Sequence, residues 1–405
     1  MNPVPWDLSS PHLGSLQLGS PGHAFTTNSA GHFPEPAREP VAGHLGRWGT
    51  DPLDLMQEGA ALGPVFRLRL WRTAYVGFSP AWNRLVLGDL DTFRSRGGMS
   101  RFSPYLSTGI VQTDFPEHAD RRASLNPGFS RSAMSRLSDE MEEVVRAKLP
   151  AGRFDAVAWS SRLVRAMLSR TFLGTPLRDG AHPVLDHFLD PMTRALPQPF
   201  LPRPIRFRRM NQVIEASLEN AEPDSLAATF AQHGGVPEMR VALAAGYDTT
   251  AHTLAWLLRH VAIDPSQLAP GRHRDAVREV LRLYPAGWLG SRITTRDVEF
   301  DGRVIPARSM VMYSPFLTHR DPTLWEHPQQ FAPQRFTERM PAWGYLPFAA
   351  GPRTCLGRHY ATVLMHVVLK VLADRQLVFH AGDPAMRAGV TLSPAGPQHL
   401  ELVAA

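Results

Sequence analysis

Apolar residues recur every three to four positions along several segments of the chain, which is the spacing of amphipathic or buried helices. This pattern predicts helices over residues 51–62, 79–87, 138–171 (as two helices), 239–260, 272–284 and the run that follows Gly357. The helix at 239–260 is the most apolar, although it contains Gly246, Asp248 and the Thr249–Thr250 pair, which are poor helix formers. Two explanations stand: a close helix crossing, or a functional site.

Segments with the pattern of a β-strand are shorter and fewer than those with the pattern of a helix. VFRLRL from Val65 alternates apolar and basic residues, and a second strand is predicted through Tyr75. Farther along, the segments SRITTRDVEF and RVIP flank Asp301–Gly302, which is a hairpin signal. A terminal hairpin is expected near residues 392–394. The predicted fold class is therefore mainly α with small β-sheets (α+β).

Residues 1–32 are rich in Ser, Gly, Pro and His and show no periodicity, which predicts a flexible amino-terminal arm. No long linker follows, so residues 33–405 are expected to form one large domain. Residues 33–45 and 191–209 contain too many prolines for continuous helices.

The formal charge of +6 comes from arginine, since Lys148 and Lys370 are the only lysines. No basic helix with interleaved aromatic residues and no zinc-ligand spacing accompanies this charge, so we expect no nucleic-acid partner. The amino terminus lacks a basic segment followed by an apolar core. Asp248 and His252 would be costly inside a bilayer. We therefore expect a cytoplasmic protein without a transmembrane segment.

Cys355, in the segment FAAGPRTCLG at residues 348–357, is the only cysteine. A single thiol forms neither an internal disulfide nor a thiolate-rich zinc site. Gly351 and Gly357 bracket it, and a helix is predicted directly afterwards. Backbone N–H groups and the helix dipole at that position are expected to favour the thiolate. The alternative is a small buried hydrophobic residue.

The spacing of Phe348, Gly351, Arg353, Cys355 and Gly357 resembles the heme-ligand loop of the cytochrome P450 family, whose pattern FxxGxRxCxG is matched at every fixed position. The resemblance implies a single-domain cytochrome P450 fold that holds heme b (iron protoporphyrin IX) between the central helix and this loop. It implies that Cys355 is the axial ligand of the iron. Phe348, Arg353 and Gly357 would contact the cofactor, with Arg353 on a propionate.

The central-helix segment AAGYDTTAH at residues 244–252 also resembles this family. The resemblance implies that the helix opens over the iron near Ala245, that Thr249 hydrogen-bonds bound oxygen, and that Asp248 relays protons. Asp248 and Thr249 are thus the expected catalytic residues.

Two further positions resemble cofactor-binding sites of the family. His118 and Arg122 lie four residues apart after Pro116, on a predicted helix that in the family reaches the heme propionates. Arg292 matches another propionate-binding arginine. Without the resemblance, a His and an Arg on an exposed turn are simply solvated.

EVLRLYP at residues 279–285 and FAPQRF at 331–336 match two scaffold motifs of the family. They imply a buried network of Glu279, Arg282 and Arg335 that locks the thiolate loop. As an exposed ion pair, Glu279 and Arg282 would contribute little.

The resemblance implies a monooxygenase that inserts one oxygen atom from O2 into a C–H bond of a bulky apolar substrate, of terpenoid, carotenoid or fatty-acyl type. Electrons would come from a separate ferredoxin-type donor and its reductase, docking near Arg358. The pocket candidates are residues 102–110, Ala242, Ala245, residues 286–289 and residues 392–394. A peroxide-driven peroxygenase and a non-catalytic heme-binding sensor remain alternatives, and Asp248 with Thr249 favours the monooxygenase.

Overall fold

The computed structural model of the protein describes residues 31–98, 109–179, 181–185, 204–337 and 340–404. The predicted arm at 1–32 lies almost entirely outside these residues. So do most of the pocket candidate 102–110 and of the proline-rich segment 191–209.

Helices are the commonest regular element among the described residues, and the apolar spacing predicted several of them. They are Leu45–Thr50, Pro52–Leu62, Pro80–Gly88, Glu117–Leu125, Arg131–Arg136, Ser138–Ala147, Ala156–Leu173, Pro204–Glu219, Leu226–Gln232, Gly235–Ile263, His273–Leu283, Pro315–Thr318 and Arg358–Leu372. Side-chain caps fix two of the predicted starts: Asp51 accepts a hydrogen bond from the amide of Asp54, and Ser79 accepts one from the amide of Trp82.

A five-stranded sheet covers one side of the molecule. Its strands, in spatial order, are Val65–Arg69, Thr73–Gly77, Met310–Tyr313, Gly290–Thr294 and Phe93–Arg94. The second and third pair in parallel and the others antiparallel. The predicted hairpin around Asp301 is present as Val298–Phe300 paired with Arg303–Ile305. The predicted terminal hairpin pairs Met386–Ala388 with Leu392–Pro394.

A three-stranded sheet was missed by the sequence pattern. Gln398–Ala404 lies between Gly152–Asp155 and Arg375–Gly382, antiparallel to both. The strand Gly152–Asp155 separates the two helices expected over 138–171. It pairs with residues about 250 positions away, so no local pattern reveals its partner.

The central helix, Gly235–Ile263, is buried along most of its length and packs mainly against Ala156–Leu173. Leu254, Trp256 and Leu258 are fully buried in the main apolar cluster around it. Among the described residues, no helix combines the length and apolarity needed to cross a membrane.

Candidate functional site

Cys355 lies between the short 3-10 turn Gly351–Arg353 and the helix Arg358–Leu372, where the sequence placed it. Its amide donates to the carbonyl of Phe348 at 2.8 Å, which closes the loop. Gly351 has φ +69°, and a Cβ there would lie 2.6 Å from the carbonyl oxygen of Leu87. Only glycine fits this backbone conformation and close approach, so Gly351 fixes the path of the loop towards the thiol.

Burial raises the pKa of the Cys355 thiol, although an N–H of Gly357 and the charge of Arg122 act in the opposite direction. The Gly357 N–H therefore acts in the expected direction, but the loss of solvation changes the pKa more than this N–H and the nearby cations do. A cation that coordinates the sulfur would reverse this balance, because a coordinating thiol is deprotonated outright.

The central helix is continuous from Gly235 to Ile263, so no break interrupts it near Ala245, where the resemblance implied an opening. Thr249 and Thr253 each donate a hydroxyl hydrogen bond of 2.7 Å to the carbonyl four residues earlier, which bends a helix without breaking it. Ala245 is nevertheless exposed, between buried neighbours Ala244 and Tyr247. The small side chain at 245 leaves this face open.

Exposed surface remains on Cys355 as well as on Ala245. For Cys355 this coexists with a strong loss of solvation. The two observations agree because exposed surface can still be surrounded by protein atoms that displace bulk water. The thiol loop and the central helix are both joined to the 3-10 turn Ile110–Gln112, through Arg353 and Glu238, and the region between them is termed the cleft.

Four basic side chains from three separate elements converge near the thiol loop. His118 is buried on Glu117–Leu125, and its pKa is lowered to about 4 by burial and then by the charges of Arg353, Arg122 and Arg292. Burial lowers the pKa of Arg353 to about 10, with Arg292 adding to the effect. Asp114 is the one acid among the main influences on His118. Three buried or half-buried guanidinium groups beside a neutral histidine suit an anionic partner.

Arg292 gives the sharpest indication of that partner. It is only 8% exposed, and its Nε is buried without a hydrogen-bond partner. Its Nη1 donates to the Ser291 carbonyl at 2.8 Å, and the guanidinium lies 5.5 Å from the ring centre of Tyr313. A buried guanidinium with an unused N–H fits a carboxylate, as on a heme propionate.

Arg122 and Arg353 also bind the backbone. Arg122 donates through Nη1 to the Thr354 carbonyl and through Nε to Asn126 Oδ1. Arg353 donates to the carbonyls of Thr113 at 2.7 Å, Val111 at 3.1 Å and Ile110 at 3.2 Å. These bonds hold the two guanidinium groups in place beside the thiol loop.

Glu279 and Arg282 are fully buried and form two hydrogen bonds of 2.8 Å. Arg335 Nε donates to Glu279 Oε1 at 3.0 Å, as does the amide of Ala332 at 2.8 Å. The remaining Arg282 donors reach the carbonyls of His319, Pro328 and Gln330. The structure thus brings together the three residues that the motifs paired, and every charge has a partner.

His319 is a structural link to the thiol loop that the sequence reasoning did not identify. It is fully buried, and burial lowers its pKa to about 3, so the ring is neutral. Nδ1 lies 3.0 Å from the Arg282 carbonyl and must donate, because a carbonyl only accepts. Nε2 accepts from the amide of Leu346 at 2.7 Å, two residues before Phe348. The only sequence signal was its place in the segment THRDP.

The pocket candidates divide into two groups. Ala242 is half-buried and Ala245 exposed, so both lie on the open face of the central helix. Trp288 and Leu392 have almost no exposed surface and pack in a second apolar cluster, with the Trp288 indole donating to the Gly389 carbonyl. These two side chains therefore belong to the packed interior.

Comparisons with known proteins agree with this site. The family model "Cytochrome P450" matches residues 274–375, which contain the Glu279 network and the thiol loop. Cyclooctatin synthase of Streptomyces melanosporofaciens is 27% identical, over 85% of this chain and 89% of that protein. Pentalenene oxygenase of Streptomyces avermitilis is 23% identical, over 94% and 97%.

The fold is also shared with a solved structure, retinoic acid bound cyanobacterial CYP120A1. The TM-score is 0.76 at 20% identity, with 93% of this chain and 100% of that chain covered. The family match over residues 274–375, the relatives along most of the chain and the shared fold agree: this chain resembles the cytochrome P450 monooxygenases in sequence and in fold.

Proposed function

We propose that this protein binds heme b through Cys355 and inserts one oxygen atom from O2 into a C–H bond of a bulky apolar substrate of the terpenoid class. The observation that carries the proposal is the convergence of His118, Arg122, Arg292 and Arg353 beside the chain's single thiol. When bound, heme supplies the activation of oxygen. The catalytic domain is taken as residues 33–405.

The cationic cluster would hold the propionates of the cofactor. Arg292 offers an unused buried Nε–H, and Arg122 and Arg353 are kept near it by their bonds to backbone carbonyls. His118 is neutral at pH 7 and can donate one N–H without adding charge. Phe348 and Gly357 would contact the cofactor from the thiol loop.

Asp248 and Thr249 would manage protons on the central-helix face. The Thr249 hydroxyl donates its hydrogen bond to the Ala245 carbonyl. Towards the cleft, Oγ1 therefore acts as a hydrogen-bond acceptor. Asp248 is buried one residue earlier, where a carboxyl can hold a proton away from bulk water. Together they supply an acceptor and a proton source next to Ala245.

The substrate class is supported by the apolar lining and by the relatives. Ala242 and Ala245 present small apolar side chains to the cleft. The terpenoid-modifying relatives from Streptomyces favour a terpenoid over a carotenoid or fatty-acyl chain. Electrons would come from a ferredoxin-type donor and its reductase, docking near Arg358.

The absorbance spectrum of the reduced protein under carbon monoxide tests whether Cys355 is the ligand of the heme iron. We expect the band typical of thiolate-ligated heme, and Cys355→Ser should abolish it. A Cys355→Ser protein that kept this band and its turnover would refute the proposal.

The amount of reductant consumed per product formed tests the proposed reaction. Thr249→Ala should raise the reductant consumed per product formed. Unchanged coupling would count against this role of Thr249, and the absence of any product would favour a non-catalytic heme sensor. Product formed with hydrogen peroxide alone, without reductant or partners, would identify the peroxygenase.

A further inference from the structure

Glu238, near the start of the central helix, is a charged residue that the proposed chemistry does not use. It is only 2% exposed. Its Oε1 accepts a hydrogen bond of 2.6 Å from Arg121 Nη1, and its Oε2 accepts one of 3.0 Å from the amide of Ile110. A carboxylate is stable in such a place only while it keeps these partners. Glu238 therefore ties the helix Glu117–Leu125 and the 3-10 turn Ile110–Gln112 to the central helix.

The same turn is held from the opposite side by Arg353. That guanidinium donates to the carbonyls of Ile110 and Val111, and Arg353 lies two residues before Cys355. The turn thus bridges the two walls of the cleft: its amide is bound by the central helix, and its carbonyls are bound by the thiol loop.

Close packing adds to these bonds at Gly109. A Cβ at this position would lie 2.5 Å from Val241 Cγ2 and 3.1 Å from Glu238 Oε2. The turn therefore lies directly against the central helix, one residue from Ala242 on its open face. The Ile110 side chain, half-buried, packs against the apolar cluster around that helix.

We propose that Glu238 and Arg121 are positioning residues that set the width of the substrate pocket, by holding the turn Ile110–Gln112 against the central helix. This inference rests on the proposed function. Without the Glu238 bonds, only the packing contacts of Gly109 and Ile110 hold the turn against the central helix, and the turn separates from the helix for part of the time. A ligand that fills the pocket then binds more weakly, in proportion to the closed fraction. A small ligand that touches only the iron is unaffected.

The test uses heme-loaded full-length protein and two probes, 4-phenylimidazole and imidazole, titrated by the absorbance shift of the heme. The first probe reaches the pocket wall and the second does not. Glu238→Gln should weaken binding of 4-phenylimidazole about tenfold, because a hydrogen bond to a charged group is lost. Imidazole affinity should stay within about twofold of the parent value. Arg121→Gln should act in the same direction, and the double variant should be little worse than either single variant.

The matched control is Glu117→Gln. Glu117 also pairs with Arg121, at 2.7 Å, but its side chain is 63% exposed and does not contact the turn. We expect this variant to bind both probes like the parent.

Two results would overturn the inference: unchanged 4-phenylimidazole affinity in Glu238→Gln, or equal weakening of both probes, which indicates a general structural defect. Failure of the proposed function is seen separately, as a parent protein without the thiolate carbon monoxide band. That result would remove the heme pocket and the inference together.

Discussion

His319 connects the buried ion-pair network to the thiol loop, and replacing it tests how firmly that loop is held. His319→Phe keeps a ring of similar size but removes both hydrogen bonds. The Arg282 carbonyl and the Leu346 amide then lose their partner in the protein interior. Each unsatisfied buried group costs about 1–3 kcal/mol, so the variant should lose about 2–6 kcal/mol of folding free energy.

The loss should be concentrated at the cofactor site. Leu346 precedes Phe348 by two residues, and the Phe348 carbonyl fixes the amide of Cys355. We expect His319→Phe to yield protein with low heme content and a lowered urea midpoint. His319→Gln offers one donor and one acceptor and should recover much of both.

Heme content is measured by absorbance per protein, and stability by urea unfolding at pH 7.5. His399→Gln, at an exposed strand position, is the control and should match the parent in both. Full heme occupancy with an unchanged urea midpoint in His319→Phe would show that this link does not hold the loop.

Three further predictions follow from other parts of the structure. Arg282→Met leaves the buried Glu279 carboxylate with only Arg335 as a cationic partner, so we expect a loss of about 3–5 kcal/mol and heme-free protein; heme retention would contradict this. Acid should destabilise the fold, because burial lowers the pKa of His252 from 6.5 to about 4 and the unfolded chain takes up a proton first. The contribution of neutral His252 to the folding free energy is complete above pH 6.5 and falls by up to about 1.4 kcal/mol per pH unit towards pH 4. His252→Gln should therefore make the urea midpoint depend less on pH. The same pH dependence in the variant and the parent would refute the assignment. Gly351→Ala should lower the free energy of unfolding by about 1–2 kcal/mol or more, because residue 351 has a positive φ and a Cβ there would meet the Leu87 carbonyl. Gly396 has open space around it, so Gly396→Ala should leave the thermal unfolding midpoint unchanged. Equal midpoints in the two variants would contradict the strain at Gly351.

Much of the fold was predictable from local patterns. Helical spacing, the Asp51 and Ser79 caps and the Asp301 turn act over a few residues, and the structure has these elements where the patterns indicated. The sheet that joins Gly152–Asp155 to the carboxyl terminus depends on pairing across about 250 residues, which leaves no periodic signal.

The segment at 348–357 was enough to predict the candidate ligand and the resemblance to cytochrome P450, because its glycines, arginine and cysteine must stand at fixed short spacings to form that turn. The surroundings of the thiol depend instead on long-range packing. Burial reverses the pKa shift expected for Cys355, and the cations that meet beside it come from three distant parts of the chain. The same holds for His319 and Glu238, whose partners are backbone groups remote in sequence. Solvation and long-range hydrogen bonding are properties of the packed chain, and no spacing of residues encodes them locally.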